Sequence, residues 1–249
     1  MSTTDKANLQ LYERGVFARL TGVHAGYQAD PVLHEVHFEA HAGEAALVCG
    51  PTSAGKTTLM HVLRLALNVR HGRALILGIE TAKMKRNARA RLKRRIGYVA
   101  ENPSFVEHWS AFENIAMPLR LAGMRVKEYG QDVDELIEFV GLGDAADEPV
   151  SHMSAAARRL TAIARALVAK PELILADDPT SGMSPEAGRR VVRLLMEMRR
   201  VGAAVVIASQ DESLAEVGPT ALWRIRHGRI APPEAATARD TDEEAEYGS

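Results

Sequence analysis

The sequence predicts an α/β fold built on a parallel sheet, and three observations predict it. Short apolar, β-branched runs such as "EAALVCG", "LILADD" and "AVVIAS" read as strands. Between them lie segments of helical period, with Leu160, Ile163, Ala164 and Leu167 on one face and Val191, Leu194, Leu195 and Met198 on another. The order strand, helix, strand, helix, strand implies right-handed crossovers and a parallel sheet covered on both faces.

The elements follow in chain order. "MSTTDKANLQLYERG" lacks the apolar centre of a signal peptide, and residues 1–16 read as an N-terminal extension. "VFARLTGV", "VLHEVHFEA" and "EAALVCG" are strands separated by polar or glycine-bearing turns. "AKMKRNARARLKRRIG" reads as a helix dense in Lys and Arg from Lys83 to Arg95. A solvated face is its first reading, contact with acidic lipid headgroups or an acidic partner its second, and nucleic acid its last, because no aromatics interleave. Between Asn102 and Met153 the pattern turns helical without evident strands, which places a helical insertion at about residues 102–155. The segment 231–249 is acidic and carries no apolar run, which predicts disorder.

Composition excludes several classes. The 249 residues suit one large domain or two small ones, and 46% apolar with 25% charged residues is ordinary for a globular chain. A net charge of -1 argues against a globally basic nucleic-acid binder. No apolar run approaches the roughly 20 residues of a membrane span. Cys49 is the single cysteine, so an internal disulfide framework is excluded and a cytoplasmic location is expected.

"LVCGPTSAGKTTLMHVLRL" carries the chemistry. Gly50, Gly55, Lys56 and Thr57 fit G-x-x-x-x-G-K-[ST], after a strand and at the start of an amphipathic helix. Small residues let the backbone N–H groups of Gly50, Pro51, Thr52, Ser53, Ala54, Gly55, Lys56, Thr57 and Thr58 curl round phosphate, proline excepted, and the helix N-terminus adds its partial positive charge. Lys56 is placed to reach the β and γ phosphates of a nucleotide, and the Thr57 hydroxyl to ligate Mg²⁺. Such a cradle needs a second carboxylate at the end of a neighbouring strand, and Asp177 in "LILADDPTSGMS" is the good candidate. Taken alone, that stretch reads first as a polar turn after a buried strand, and the phosphate cradle is what moves the reading to a metal ligand. Asp178 then falls where a general base or water-positioning group belongs.

Together these segments resemble the ATP-binding subunits of ABC transporters from about Phe17 to Ile230. "RRIGYVAEN", "AFENIAMPLRLAGM", "IARALVAKPELILADDPTSGM" and "VVIASQD" are most similar to the FtsE/LolD/MacB group, and within it to FtsE, its cell-division member. The resemblance implies a P-loop NTPase core over residues 17–230 with an N-terminal antiparallel β subdomain and the inserted helical subdomain. It implies that Tyr27 stacks on adenine, although a core tyrosine is an equal reading. It also implies a homodimer, or pairing with a second ABC subunit, and an FtsX-like integral membrane partner that holds the chain on the inner face of the membrane.

The sequence departs from that family's pattern at five places. Glu101 replaces a magnesium-contacting glutamine, and Met153–Ser154–Ala155–Ala156–Ala157 replaces L-S-G-G-Q, keeping Ser154 but adding Cβ groups. Asp178 stands for the catalytic glutamate, one methylene or roughly 1.5 Å short. Ser184 replaces an aspartate, and Gln210 replaces the histidine that contacts the γ-phosphate. Binding groups are kept and chemistry groups altered, so Mg-ATP binding with slow hydrolysis is expected, and a non-hydrolysing scaffold is the competing reading. A P-loop GTPase would need N-K-x-D, which does not occur.

Overall fold

The computed structural model describes residues 3–28, 30–82 and 84–235. Its strands are β1 (Val16–Ala25), β2 (Leu33–His41), β3 (Ala45–Cys49), β4 (His71–Ile76), β5 (Ile79–Glu80), β6 (Ile96–Val99), β7 (Leu173–Asp177), β8 (Ala204–Ser209), β9 (Ala221–Arg226), β10 (Arg229–Ile230) and β11 (Glu234–Ala235). The helices are α1 (Thr3–Glu13), α2 (Lys56–Leu63), α3 (Arg86–Lys93), α4 (Ala111–Leu121), α5 (Val126–Val140), α6 (Ala155–Leu167) and α7 (Pro185–Arg200).

Strands β6-β7-β8-β3-β9 run parallel, and β10 and β11 close the far edge antiparallel to β9. A separate antiparallel sheet has the order β2-β1-β4-β5. The two-residue period of β3 and β8 feeds two cores. Ala46, Val48, Val206 and Ala208 pack with α2 and the antiparallel sheet. Leu47, Cys49, Val205 and Ile207 pack with Ile163 and Leu167 of α6 and Val191 and Leu195 of α7. The sheet is therefore covered on both faces as expected. Phe38 of β2 lies 4.9 Å from Trp223 of β9, ring centre to ring centre, and at 1% exposure its burial is worth roughly 2–3 kcal/mol. That contact fastens the antiparallel sheet to the parallel one.

The helical insertion has local causes. Ser110 Oγ accepts from Glu113 N at 3.2 Å while Glu113 Oε2 accepts from Ser110 N at 3.0 Å, a reciprocal cap that starts α4. Gly141, at φ 76°, ends α5 in the left-handed conformation. Ile115 of α4, Val133 and Ile137 of α5, and Ala164 of α6 then form a third core.

Two segments differ from the sequence reading. The N-terminal extension forms helix α1, held by Tyr12, whose hydroxyl donates to Glu172 Oε2 at 2.5 Å and accepts from Arg95 Nη2 at 2.9 Å. Those partners are 160 and 83 positions away, so no local pattern announces them. The segment from Ala231, expected to be disordered, is ordered as far as Ala235: β11 pairs with Leu222 and Ala221 of β9, and Glu234 meets Arg224 at 2.5 Å. Backbone pairing and an ion pair order these residues without any apolar run. The rest of the acidic tail, 236–249, lies outside the described residues, as does Lys83.

Candidate nucleotide site

Strand β3 delivers the chain into the loop 50–55, and α2 leaves it at Lys56. Gly50 admits no side chain, since a Cβ there would stand 2.2 Å from the Ile225 carbonyl oxygen. Gly55, at φ 108°, turns the loop into the first turn of α2, leaving the free N–H groups of that turn along the loop. Lys56 arches back, its Nζ donating to the Gly50 and Pro51 carbonyls at 2.6 and 2.9 Å. Pro51, Thr52 and Ser53 are exposed, whereas Ala54 and Thr58 are 4% and 6% exposed, so the latter two offer backbone N–H groups and not side chains. The Thr52 hydroxyl donates to Gln210 Oε1 at 3.0 Å, which ties the loop to the end of β8.

Asp177 ends β7 and is 2% exposed. It does not sit on the strand next to β3, because β8 lies between, but Thr57 Oγ1 still donates to its Oδ1 at 3.3 Å. The Tyr98 hydroxyl of β6 donates to Oδ2 at 3.3 Å. Burial pushes the Asp177 carboxyl above its usual range; the two hydroxyls oppose that shift, and the charges of Glu101 and Asp178 add to it. Burial, followed by the Asp177 charge, pushes the Tyr98 hydroxyl up to about 12, so it stays a donor. The segment does turn after the buried strand, with Ser181 N donating to the Asp178 carbonyl at 3.2 Å, and Asp177 at the strand's end also faces the cradle.

Asp178 adopts φ 45°, a left-handed conformation that Asp tolerates better than most residues, with its N–H donating to the Ala208 carbonyl at 2.9 Å. Ser209 Oγ donates to its Oδ1 at 3.4 Å. Glu101 is exposed, and its backbone is held by Arg159, which donates to the carbonyls of Ala100 and Glu101 at 3.0 and 2.9 Å. Burial lowers the Arg159 pKa, while the charges of Asp178 and Glu101 raise it. Arg159 and Tyr98 were missed from sequence. Arg159 reads as an ordinary polar position on α6, and Tyr98 becomes visible only once β6 is paired with β7.

Tyr27 is 58% exposed, which rules out a core tyrosine. Its hydroxyl shares a 2.5 Å hydrogen bond with His61 Nδ1 on α2, next to the cradle. Burial and the Arg64 charge keep the His61 pKa low. Ser154 is not brought to the cradle: it is exposed and caps α6, its Oγ accepting from Ala157 N at 3.2 Å.

The residues fit magnesium and a triphosphate. A hydroxyl and a buried carboxylate stand 3.3 Å apart at the mouth of a glycine-bounded turn, with two more carboxylates near enough to raise the Asp177 pKa. Magnesium takes few protein ligands and completes its shell with phosphate oxygens and water. Among the described residues no group of three or more His, Cys, Asp or Glu could hold a metal unaided.

A family model described as ABC transporter matches residues 33–181. The chain belongs to the ABC transporter family. Within it the chain is an ATP-binding subunit: it is 34% identical over 199 residues to an "Uncharacterized ABC transporter ATP-binding protein" of Thermotoga maritima, covering 80% of this chain and 85% of that one. It is 32% identical to the lipoprotein-releasing system ATP-binding protein LolD of Shewanella denitrificans, over 77% of this chain and 83% of that one. Similarity to the macrolide export ATP-binding/permease protein MacB of Burkholderia pseudomallei is 33% over 83% of this chain, but only 32% of that longer protein. In fold, the ABC cassette matches MJ0796, solved as a dimer in a post-hydrolysis state with ADP and Pi, with a TM-score of 0.81, 23% identity and coverage of 89% and 100%. The expected α/β core with antiparallel and helical additions is thus the observed fold.

Proposed function

We propose that this chain binds Mg-ATP at the Gly50–Thr58 turn and couples that binding, with slow hydrolysis, to an integral membrane partner. The observation that carries the reading is the Thr57–Asp177 pair, 3.3 Å apart beside Lys56. In this reading Lys56, the loop N–H groups and the α2 N-terminus hold the phosphates, Thr57 and Asp177 hold magnesium with Glu101 beside them, and Tyr27 takes the adenine. Bound magnesium supplies charge neutralisation at the phosphates. Asp178 and Gln210 orient water and phosphate less well than the family's glutamate and histidine, and Ser154 serves the ATP of a second subunit, either another copy or a different ABC chain.

The partner docks in a groove of about 840 Å³ whose lining includes Tyr98, Asn102, Phe105, Met117, Leu121 and Arg165. Leu121 is 77% exposed there, an apolar side chain awaiting cover. Among the described residues no helix is long and apolar enough to cross a membrane, so in this reading the chain reaches the inner face of the membrane through that partner. An FtsX-like protein acting in cell division is the partner implied by the FtsE resemblance. The LolD and MacB relatives favour a second reading, a lipoprotein-releasing or macrolide-type exporter. Calorimetry with Mg-ATP on the wild type and Lys56→Ala tests the site: saturable binding lost in the variant supports it, and no binding by the folded wild type overturns it. Copurification of the membrane protein from native membranes separates the two partners, and phosphate release by that complex separates slow hydrolysis from a non-hydrolysing scaffold.

A further inference from the structure

The cations of the 83–95 segment are not absorbed by the nucleotide site. From Thr81 to Ala100 the chain contains no Asp or Glu. Lys85, Arg86, Arg91, Lys93 and Arg94 are exposed on and beside α3, and among the described residues none of the five makes an ion pair. At 100° per residue, Arg86, Arg91, Lys93 and Arg94 all point about 100° or more away from the buried Leu92, and Lys85 stands at the start of the helix. Among the described residues of this stretch, Arg95 alone is neutralised, by Glu172. The surrounding charge is of one sign: after burial, the charges of Arg64 and Arg89 are what lower the Lys93 pKa.

The same surface is apolar at its edge. Arg64, Lys93, Arg94 and Arg165 line the groove assigned above to the membrane partner, together with Leu121 and Met117, and among the described residues no carboxylate lines it. A purely solvated helix would intersperse both signs, as α7 does with Glu186 and Glu197 among its arginines. Unpaired cations bordering exposed apolar side chains match the headgroup boundary of an anionic bilayer, where charge attraction and shallow apolar contact act together.

We propose that the basic face of α3 binds anionic phospholipid headgroups, so that the chain contacts the bilayer directly beside its docked partner. This rests on the reading that the groove faces the membrane, and adds a second, lipid contact to it. Each cation within a Debye length of an anionic surface contributes about fivefold in affinity, so three of them contribute about a hundredfold.

The test is co-sedimentation of the full chain, without partner, on vesicles of one part phosphatidylglycerol to two parts phosphatidylcholine, against phosphatidylcholine alone. Three exposed positions outside the groove lining, Lys85→Glu, Arg86→Glu and Arg91→Glu, are changed together. The control reverses Arg189, Arg190 and Arg193, equally exposed on α7. Expected are binding to the anionic vesicles only, a loss of about a hundredfold or more in the α3 variant, little change in the α7 control, and release as salt rises from about 0.05 M to about 0.5 M. The three Gln variants at the α3 positions give an intermediate loss if the Glu chain folds poorly. Absence of binding to anionic vesicles, or equal losses from α3 and α7, overturns the proposal. Binding of polyglutamate but not vesicles overturns it too, in favour of an acidic polypeptide. Mg-ATP calorimetry on the same proteins stays unchanged in either case, so failure of the lipid contact is distinguishable from failure of the nucleotide site.

Discussion

Replacing Asp177 with Asn is expected to stabilise the nucleotide-free protein and to remove its magnesium-dependent hold on ATP. The carboxylate is 2% exposed, and its two hydroxyl donors, Thr57 and Tyr98, both stand at 3.3 Å. A well-formed O–H···O bond is roughly 2.5–3.0 Å, so the charge is incompletely paired. Burial, more than any other cause, raises its pKa above the ordinary 3.8. A carboxyl whose folded pKa is raised binds its proton more tightly when folded. Its contribution to stability is therefore fully present below the ordinary value, falls as pH climbs through the raised value, and stays lost at neutral pH. An amide of the same shape carries no charge to desolvate. Incompletely paired buried polar groups cost roughly 1–3 kcal/mol, and recovering about 1 kcal/mol of that raises Tm by about 2–4 °C in a chain of this size. Calorimetric melting in EDTA at about pH 7.5, with a parallel Mg-ATP titration, checks both halves. The advantage of the Asn variant should shrink as pH is lowered toward about 4. A lower Tm than wild type without nucleotide, or an undiminished Mg-ATP affinity, would refute the reasoning.

Three further substitutions probe the same site. Gly50→Ala drives a Cβ to 2.2 Å from the Ile225 carbonyl oxygen; relief by a backbone shift costs about 1–3 kcal/mol, and Mg-ATP affinity measured by calorimetry should fall at least about tenfold as the loop N–H groups move. Arg159→Met removes the hydrogen bonds to the carbonyls of residues 100 and 101; at about 1.5–3 kcal/mol for each charged bond, urea melting should show a loss of about 3 kcal/mol, and Mg-ATP affinity should fall less than in Gly50→Ala, because Glu101 loses its support while the loop N–H groups stay in place. Asp178→Glu advances the carboxylate by roughly 1.5 Å and should raise phosphate release, by up to about a hundredfold if reach alone limits the rate; it should also lower Tm slightly, since φ 45° suits Asp better than Glu. Unchanged or reduced turnover would show that reach is not what limits it.

What could be read in the sequence was what the chain encodes over short distances. The β3-loop-α2 unit is contiguous, and the caps of α4, α6 and α7 lie within a turn of the helices they start, so spacing and residue type suffice. The parallel order followed from alternation alone, but the position of β8 between β3 and β7 did not, since strand insertion is a long-range event. Helix α1 was invisible for the same reason, because its anchor is Glu172. β11 was hidden differently: its order comes from backbone pairing and the Arg224–Glu234 contact, neither of which leaves an apolar signature. Tyr98 and Arg159 combine both difficulties, polar groups on apolar elements whose partners come from other strands and loops.

At residues 155, 156 and 184, where the resemblance implies other side chains, the fold of the single chain makes only local demands. Ser184 caps α7, accepting from Ala187 N at 3.3 Å, and serine serves as an N-cap about as well as the aspartate it replaces. Ala155 and Ala156 lie exposed in the first turn of α6, where their Cβ groups meet nothing that folding requires and favour the helix. Gln210 accepts from the Thr52 hydroxyl within the chain, a bond that steadies the phosphate loop. Gly50, by contrast, is bound into the packing around β9, so change there costs the fold as well as the site. In the proposed reading, the further demand on residues 155, 156 and 184 comes from outside the single chain, in closure on a second subunit. An intact cradle beside side chains that the fold leaves free supports the proposal of ground-state ATP binding with slow turnover, which phosphate release by the complex with its membrane partner tests.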